Sequence, residues 1–531
     1  MLAPTTLAIL IPFVFLTHVI ITYIQNPLRK IPAAHPLSHF TSLWIHSIRW
    51  RAIENATLTA AHARLGPIIC LGPSEISVNC VNGGIRDVYA GGFEKQSPAR
   101  GGYNWYAFFS NYGGVDNMFS MGGNKPHSLR KRMISNIYSK SALTASPAFL
   151  AQVSTILYDR FLPYLDSACR KNDGVLNISA FMSAATMDIV TGYIFGLKAS
   201  SNLISTPDEL SWFLDLYNSR RSYNFWPQEF PGLTGFAEKW LGYRLAPKWV
   251  DEANSKIEKW TQQMCQRAGQ VLISGNTQPG DTPAVYQQLY ATLTKDAKKG
   301  DIENAGIEPL LASEVLDHLA AGFDTSSITL TYVIHELSQH KDIQRRLQAE
   351  LLSLDPQLVS SSSPHLLGRR VVDALPVLHA VIWETLRLHS AIPGPQPRFT
   401  PPQGCHLGPE ERSYYVPGGV RVSASAGLLH ANEEVYERAS EWRPERWLDL
   451  DKLDDERRKD MESRWFWAFG SGGRMCVGSH LAVYQMKYIV AALYSSYSTS
   501  IVDDTGIEQI DSYTAPPKND RLMVRLEYLA G

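Results

Sequence analysis

Apolar residues recur along this chain at two spacings, and the longer runs have the spacing of helices. Six segments carry apolar residues every three to four positions, the period of an amphipathic helix: 149–165, 180–195, 208–223, 249–274, 308–339 and 376–389. A further helix-like run follows at 479–493. The pattern predicts a mainly helical body.

Shorter stretches have the composition of strands and are bounded by glycine and proline. They lie at 67–71, 75–79, 413–416 and 420–423. Two come before the helical segments and two come after most of them. The expected fold class is therefore mostly α with a small β region, built from both ends of the chain. No sequence period of about 20 to 50 residues repeats, which argues against solenoids and propellers.

Residues 2–24 form an apolar run with no Asp, Glu, Lys or Arg. A helix of this length spans roughly 34 Å, enough to cross a hydrocarbon core of about 30 Å. The alternative is a cleaved signal peptide, but no basic residue precedes the run and no A-x-A site ends it. Arg29 and Lys30 follow it, so the positive-inside rule places the rest of the chain in the cytosol. We expect one transmembrane helix within an anchor over 1–28, a proline-containing hinge over 29–48 and a single body over 49–531.

Composition and charge narrow the classes of function. Hydrophobic residues make up 44% of the 531 positions, so the chain can bury a large core. Fifty Lys plus Arg against fifty-one Asp plus Glu give a net charge of -1, which offers no electrostatic case for a nucleic-acid partner. Six cysteines are scattered without a CxxC pair, which indicates neither a disulfide scaffold nor a zinc module.

The most informative stretch is 469–478, which reads FGSGGRMCVG. Its glycines let the backbone turn tightly and approach a flat ligand closely. Cys476 lies just before the helix-like run at 479–493, where free N–H groups and the helix dipole favour a thiolate, the form that ligates metals. A lone cysteine is more often a small buried hydrophobe, so the surrounding pattern decides between the two interpretations.

This stretch resembles, residue for residue, the FGxGxRxCxG signature of the cytochrome P450 family. The resemblance implies that the body over 49–531 is a catalytic domain with the cytochrome P450 fold and that it binds haem b. It implies Cys476 as the axial thiolate ligand of the haem iron, which favours cleavage of the O–O bond. Phe469 and Arg474 of the same signature would then contact the haem.

A second motif, AGFDTS at 321–326, lies inside the long helical pattern. A glycine and a buried acid–alcohol pair are costly there without a purpose. The alternative is a threonine that bonds back to a carbonyl and an aspartate that faces solvent. By resemblance this is the oxygen groove, in which Gly322 leaves room beside the iron. Asp324 and Thr325 would help to bring protons to the dioxygen.

Haem carries two propionates, which need a cationic clamp. By resemblance His127, Arg132, Arg398 and Arg474 fit the clamp positions. The stretch 127–132 (HSLRKR) departs from the family's commoner Trp-x-x-x-Arg, because histidine replaces tryptophan and Lys131 occupies the arginine position. Either Lys131 or Arg132 could therefore reach a propionate.

Residues 384–387 (ETLR) place an acid and a base three positions apart on one helix face. Such pairs usually decorate solvated surfaces, so this pair alone is weak. After it, 444–447 (PERW) resembles the family's PERF element. The resemblance implies a buried structural triad of Glu384, Arg387 and Arg446.

A buried haem with a thiolate on one face needs an apolar chamber on the other. The glycine-rich loop at 101–123 is expected to be a mobile lid, and the aromatic stretch 225–249 is expected to dip into the membrane and admit substrate. The expected chamber walls are Phe108, Phe109, Phe119, Ala320, Ala321, Ala391, Ile392, Thr514 and Ala515.

By resemblance the reaction is the oxidation of a lipophilic small molecule with O2 in fungal secondary metabolism. No dinucleotide fingerprint is present, so NADPH and flavins would act only through a partner, NADPH–cytochrome P450 reductase, with cytochrome b5 as an optional second donor. The expected location is the endoplasmic reticulum membrane, with the catalytic domain in the cytosol. One alternative is a haem-thiolate isomerase or dehydratase that needs no reductase, against which Asp324 and Thr325 argue. The other is a non-catalytic haem protein.

Overall fold

The structure is a computed structural model that describes most of residues 17–529. The residues outside the description are 1–16, 18, 22, 99–100, 111–112, 172, 276–277, 299–305, 355–365 and 530–531. The predicted anchor therefore lies largely outside the described residues.

Helices dominate the described part of the chain. In chain order they are α1 (Leu43–Trp50), α2 (Glu54–Leu65), α3 (Asn124–Ile134), α4 (Lys140–Ala145), α5 (Pro147–Thr155), α6 (Leu162–Lys171), α7 (Ile178–Phe195), α8 (Pro207–Ser219), α9 (Phe225–Glu229), α10 (Pro231–Leu241), α11 (Lys248–Ser274), α12 (Ala284–Lys298), α13 (Ile307–Gln339), α14 (Lys341–Leu352), α15 (Arg369–Asp373), α16 (Pro376–Leu388), α17 (Ala426–His430), α18 (Glu445–Leu448), α19 (Asp455–Lys459) and α20 (Ser479–Tyr494). All seven predicted helical segments are confirmed. The first of them is divided, because a π-helical segment, Ile156–Phe161, joins α5 to α6.

The β region is small, as predicted, and the described strands form three sheets. The strands are β1 (Ile68–Gly72), β2 (Glu75–Val78), β3 (Val175–Asn177), β4 (Arg398–Phe399), β5 (Cys405–Leu407), β6 (Tyr414–Val416), β7 (Arg421–Ser423), β8 (Tyr497–Asp503) and β9 (Met523–Tyr528). The largest sheet has the order β1-β2-β7-β4, the second β3-β9-β8, and β5 pairs with β6. In the largest sheet, β2 and β7 run parallel, so the two ends of the chain meet there. The sequence patterns did not predict β8 or β9.

Helix α13 lies at the centre of the main hydrophobic cluster, and most of its residues are buried. It passes very close to α7 at Gly322, where a Cβ atom would lie 2.7 Å from Val190 Cγ2. Helix α20 is tied to the same point, since Gln485 Nε2 donates to the Gly322 carbonyl at 3.2 Å and to the Ser326 hydroxyl. The loop that precedes α20 is thereby fixed relative to α13.

Helix α7 is long and apolar enough to cross a membrane, but 83% of it is buried inside the protein. Its apolar surface is therefore explained by core packing. The hinge residues also contact the body, because the Ala34 amide donates to the Cys70 carbonyl at 2.9 Å and the Cys70 amide donates to the Pro32 carbonyl at 2.8 Å. This part of the predicted hinge lies alongside β1.

Candidate active site

Residues 469–478, here called the cysteine loop, precede α20. A backbone hydrogen bond 3.0 Å long, from the Cys476 amide to the Phe469 carbonyl, closes this loop. Gly472 has a φ of +70°, and a Cβ there would lie 2.2 Å from the Tyr89 carbonyl, so only glycine fits. At Gly470 and Gly473 a Cβ would meet nothing within 4 Å. The loop thus packs against the body at Gly472 and leaves open space at Gly470, Gly473 and Gly478.

The Cys476 side chain is accessible, although protein surrounds it closely. Burial raises the pKa of its thiol, while the Gly478 amide and the Lys131 ammonium lower it. An accessible side chain in a desolvated position faces an enclosed space and not bulk solvent. A haem would find an anionic sulfur ligand here, because iron binding favours the thiolate.

An opening also occurs on α13 at the predicted groove. Ala321 is exposed and Thr325 is half-buried, although the helix is buried for most of its length on either side. The Thr325 hydroxyl donates back to the Ala321 carbonyl at 2.8 Å, as in the alternative interpretation of this motif. Ala321 and Thr325 are one turn apart, so the groove follows one face of the helix.

Asp324 is buried and does not face solvent. The Tyr217 hydroxyl donates to its Oδ2 at 3.3 Å, and Arg221 Nη2 lies 3.6 Å from its Oδ1. Arg221 Nη1 also donates to Asp520 at 2.8 Å. Burial raises the pKa of the Asp324 carboxyl, and the Arg221 charge opposes that shift. The aspartate half of the alternative interpretation therefore does not describe this residue.

Gly322 lies next to this pair, but its missing side chain points toward Val190 of α7. The structure thus supplies a packing reason for the glycine. Its predicted role beside the iron remains a prediction, and Ala321 is the residue that borders the open space.

The predicted propionate clamp contains one buried arginine, Arg398, and one half-buried arginine, Arg474. Arg474 donates to the Met121 carbonyl at 2.6 Å and to the Gly122 carbonyl at 2.8 Å. Arg398 Nη1 donates to the Tyr106 hydroxyl at 2.9 Å. Burial and the nearby Arg398 charge lower the pKa of Arg474 to about 10. The two guanidinium groups therefore lie close enough to repel each other.

Sequence reasoning missed a further cation beside these two, the buried Lys95. Its side chain lies over the rings of Tyr106 and Phe119, 3.7 Å and 4.0 Å from their centroids, and it donates to the Phe119 carbonyl at 2.6 Å. Burial, followed by the charges of Arg398 and Arg474, lowers its pKa well below the usual lysine value. Lys95 lies in a segment without helical or strand periodicity, so no pattern marked it.

His127 is buried beside the same cations. Burial lowers its pKa to about 3, and the Arg474 charge contributes to the same shift. The imidazole is therefore neutral at physiological pH in this state, able to donate one hydrogen bond but not to add a charge.

Lys131 and Arg132 have different positions. Lys131 Nζ donates to the carbonyls of Gly473 and Met475, at 2.9 and 3.0 Å, and so holds the cysteine loop. Arg132 is exposed, and its Nε donates to the Ser128 carbonyl of its own helix. In this arrangement Lys131 is the one that contacts the loop.

Lys95 and Arg398 are buried and Arg474 is half-buried, and none of these three cations forms an ion pair with an acid in the described residues. Buried charges without counter-charges are costly. A flat cofactor with two carboxylates, placed between the cysteine loop and the α13 groove, would supply the missing negative charge. The residues present therefore fit haem b in ligand type, charge and open backbone.

The predicted structural triad is assembled and buried. Glu384 accepts from Arg387 Nη2 at 2.7 Å, from Arg446 Nε at 3.0 Å and from the Trp447 indole at 2.8 Å. The remaining Arg387 donors reach backbone carbonyls, among them that of His430 at 3.0 Å. All five N–H donors of Arg387 are therefore used within the described part of the protein.

In the described part of the glycine-rich loop at 101–123, two hydrogen bonds join the loop to α13. The Met118 amide donates to Glu314 at 2.7 Å, and the Ser313 hydroxyl donates to the Val115 carbonyl at 2.7 Å. These polar contacts attach the loop near the beginning of α13, and the mobility of the loop stays a prediction. Within the loop, Trp105–Phe109 forms a 3-10 turn.

Aromatic side chains from this loop and from the C-terminal segment pack together. Phe109, Phe119 and Tyr513 have ring centroids 5.1 to 6.0 Å apart. Among the other expected wall residues, Phe108, Ala320, Ile392 and Thr514 are half-buried, whereas Ala391 and Ala515 are buried. A cavity of about 750 Å³ lies between α7 and α8, and none of the predicted site residues lines it.

The aromatic stretch predicted at 225–249 forms α9 and α10, and the latter is largely exposed. Phe236 and Trp240 of α10 are 52% and 69% exposed. At the end of α9, Glu229 is bound to the body by Arg421 at 3.0 Å and by the Trp105 indole at 2.8 Å. The stretch is therefore pinned at one point and presents apolar side chains outward.

Comparisons with known proteins agree with this geometry. A family model described as "Cytochrome P450" matches residues 40–524. The chain is 27% identical over 515 residues to the cytochrome P450 monooxygenase hkm5 of Aspergillus hancockii, covering 93% of this chain and 89% of that protein. It is 29% identical over 435 residues to the cytochrome P450 monooxygenase avaI of Aspergillus versicolor, covering 80% and 94%. It is also 25% identical over 508 residues to the fusicoccadiene C-8 hydroxylase of Alternaria brassicicola, covering 92% and 88%.

Proposed function

Because the chain belongs to the cytochrome P450 family and is a haem-dependent monooxygenase similar to fungal secondary-metabolite enzymes, we propose that it oxidises a lipophilic small molecule with electrons from NADPH through a separate reductase. The observation that carries the proposal is the juxtaposition of three features. These are an accessible cysteine in a desolvated loop, an open groove on α13, and buried cations that lack an anion.

The chain's own residues bind and orient the cofactor. Cys476 would ligate the iron, while Arg398, Arg474 and Lys95 would hold the propionates. When bound, haem b supplies the iron at which dioxygen is reduced. Lys131 keeps the cysteine loop in position through its two carbonyl contacts.

Protons would reach the groove through Asp324. Its raised carboxyl pKa lets it hold a proton, and a cavity of about 30 Å³ that includes Asn218 and Asp520 adjoins it. That volume is enough for one water molecule. Asp520, whose side chain is 39% exposed, borders the same cavity, so water there would connect the Asp324 carboxyl to solvent. Thr325 would then present its hydroxyl oxygen to the groove.

The reductase would dock against the basic helix α3. Lys125 and Arg132 of that helix are exposed, and Lys131 joins it to the cysteine loop. An acidic partner bound there would lie close to the thiolate side of the site. A variant with both Lys125 and Arg132 replaced by Glu should need a higher reductase concentration for half-maximal turnover than the wild-type protein. Added salt should reduce this difference between variant and wild type.

Membrane attachment is part of the proposal. The uncharged run at 2–24 would anchor the chain in the endoplasmic reticulum, and α10 would contribute apolar contact through Phe236 and Trp240. With the body in the cytosol, the N-x-T sequon at Asn55 would carry no glycan, and protease added to sealed microsomes would digest the body. A glycan on Asn55 or a protected body would contradict this orientation.

Gene deletion tests the activity and identifies the substrate. The deleted strain should accumulate a compound that the full-length protein converts only in the presence of NADPH and reductase. With isotopically labelled dioxygen, the product should carry one labelled oxygen atom. Conversion without reductase would favour the isomerase or dehydratase alternative, and an unchanged metabolite profile would favour a non-catalytic protein.

A further inference from the structure

A buried acid on α13, outside the predicted motifs, has no partner in the described part of the chain. Asp317 makes no hydrogen bond and no ion pair there, although it lies in the buried half of the helix. Leaving a carboxyl in this position without a partner is costly. Nothing in the oxygen chemistry or in the structural triad uses this residue.

Asp317 lies on the face of α13 that opens into the groove. It is one helical turn before Ala321 and two turns before Thr325, so the three share one face. Its exposed fraction of 9% is the largest between Leu311 and Leu319, and exposure rises further toward Ala321. The helical geometry therefore directs this carboxyl toward the open space beside the groove.

Tyr513 lies within electrostatic range of Asp317 and belongs to an aromatic cluster. The Asp317 charge contributes to the raised pKa of the Tyr513 hydroxyl, after burial and the Tyr106 charge. Burial raises the pKa of the Asp317 carboxyl itself to about 7, and the Lys95 charge opposes that shift. Tyr513 packs against Phe109 and Phe119 at 5.1 and 6.0 Å. A carboxylate beside aromatic rings is the chemistry that recognises an organic cation.

Lys95 is the protein cation that Asp317 influences, but the two do not form an ion pair. Lys95 donates to the Phe119 carbonyl, and its nearest positive charges are those of Arg398 and Arg474. Haem propionates would engage that cluster, which leaves Asp317 without a counter-charge in the assembled site.

From this arrangement we infer that Asp317 is a specificity-determining residue and that the substrate carries a positively charged or basic nitrogen, held by the Asp317 carboxylate against the aromatic wall. The inference rests on the proposed function, since it assigns a substrate class to the same site. The nitrogen is a binding group, and the oxidised carbon lies elsewhere on the molecule.

Two probes of the same shape test the charge preference directly. Benzyltrimethylammonium is a cation that cannot ligate iron, and neopentylbenzene is its uncharged carbon analogue. We expect the haem-loaded full chain to bind the cation at least about tenfold more tightly than the neutral probe in equilibrium dialysis. Asp317→Asn should abolish most of that preference and leave the affinity for neopentylbenzene unchanged.

Control variants separate charge from folding. Asp317→Glu should retain the preference, and so should Glu308→Gln, which removes an exposed acid from the same helix. If Asp317→Asn does not load haem, Asp317→Ser serves as the uncharged variant. The thiolate-type carbon monoxide band is recorded for each protein, so that failure of the haem site is distinguished from failure of this inference.

The inference depends on whether the wild-type protein binds benzyltrimethylammonium more tightly than neopentylbenzene. Equal affinities for the two probes, including no binding of either, would overturn the inference. A preference that survives in the uncharged variants would overturn it as well. Tighter binding of the anion phenylacetate than of either probe would assign selectivity to Lys95 instead.

Discussion

Two clusters of buried charge in this molecule are built in opposite ways. Around Glu384, the charged groups are matched, because Arg387 and Arg446 both donate to its carboxylate and send their other donors to carbonyls. Around Arg474, the further cations Lys95 and Arg398 are buried and form no ion pair with an acid among the residues that the structure describes. The first cluster is complete without a ligand, and the second is complete only with an anion.

The difference distinguishes a structural frame from a binding site. A matched cluster loses stability when any member is removed, since the remaining charges stay buried and unpaired. An unmatched cluster is held together by the surrounding fold and gains a favourable partner on ligand binding. The two should therefore respond differently to removal of a single charge.

The largest effect is expected from Glu384→Gln, which keeps the shape of the side chain but leaves both arginines without a counter-charge. We expect a loss of about 3 to 5 kcal/mol in the free energy of unfolding, measured by urea denaturation. Asp455→Asn is the matched control, because Asp455 forms an exposed i,i+3 ion pair with Arg458 and should change stability little. A small loss for Glu384→Gln would contradict its role in the frame.

Acidification should weaken the frame through His430. Its Nε2 accepts from the Trp467 amide at 2.8 Å, and burial lowers its pKa to about 3. The unfolded chain binds a proton near pH 6.5, so this stabilisation is complete above that pH and is lost as pH falls toward 3. The loss at pH 5 should be about 2 kcal/mol. His430→Gln should flatten the pH dependence of unfolding between these limits, and the exposed His406→Gln should not.

Removing one cation from the clamp should weaken haem binding more than it weakens the fold. Lys95→Met is expected to lower the affinity for haem about tenfold, which corresponds to about 1.4 kcal/mol, because one charged contact to a propionate is lost. Transfer of haem to an acceptor protein measures this change. Urea unfolding of haem-depleted Lys95→Met protein should show equal or higher stability, since a repulsive charge is gone. A less stable haem-depleted variant would place Lys95 in the frame instead.

Asp324 is intermediate between the matched Glu384 cluster and the unmatched Arg474 cluster. It has one arginine at 3.6 Å and a cavity beside it. Thr325→Ala should keep haem and substrate binding but release a severalfold larger share of peroxide per NADPH consumed, since protonation is mistimed. Arg221→Ala should have a smaller effect in the same assay. Unaltered product yield per NADPH in Thr325→Ala would reduce the pair to a structural role.

The frame could be predicted from the sequence, and the clamp only in part. Glu384 and Arg387 are one helical turn apart, and Cys476 lies in a ten-residue motif, so local patterns identified both. Lys95 is different, because only tertiary packing brings it to Arg474, nearly four hundred positions away in the chain. Tyr513 was missed for the same reason. Strands β8 and β9 were also missed, and their pairing joins segments that are separated by nineteen residues.

The most direct test of the whole account is the carbon monoxide difference spectrum of the reduced full-length protein. Wild-type protein should give the thiolate-type band, and Cys476→Ala should give none, because the axial sulfur is gone. Cys405→Ala, which removes a half-buried cysteine on β5, should leave the band unchanged. A thiolate-type band that persists in Cys476→Ala would contradict the assignment of the ligand and, with it, the position of the active site.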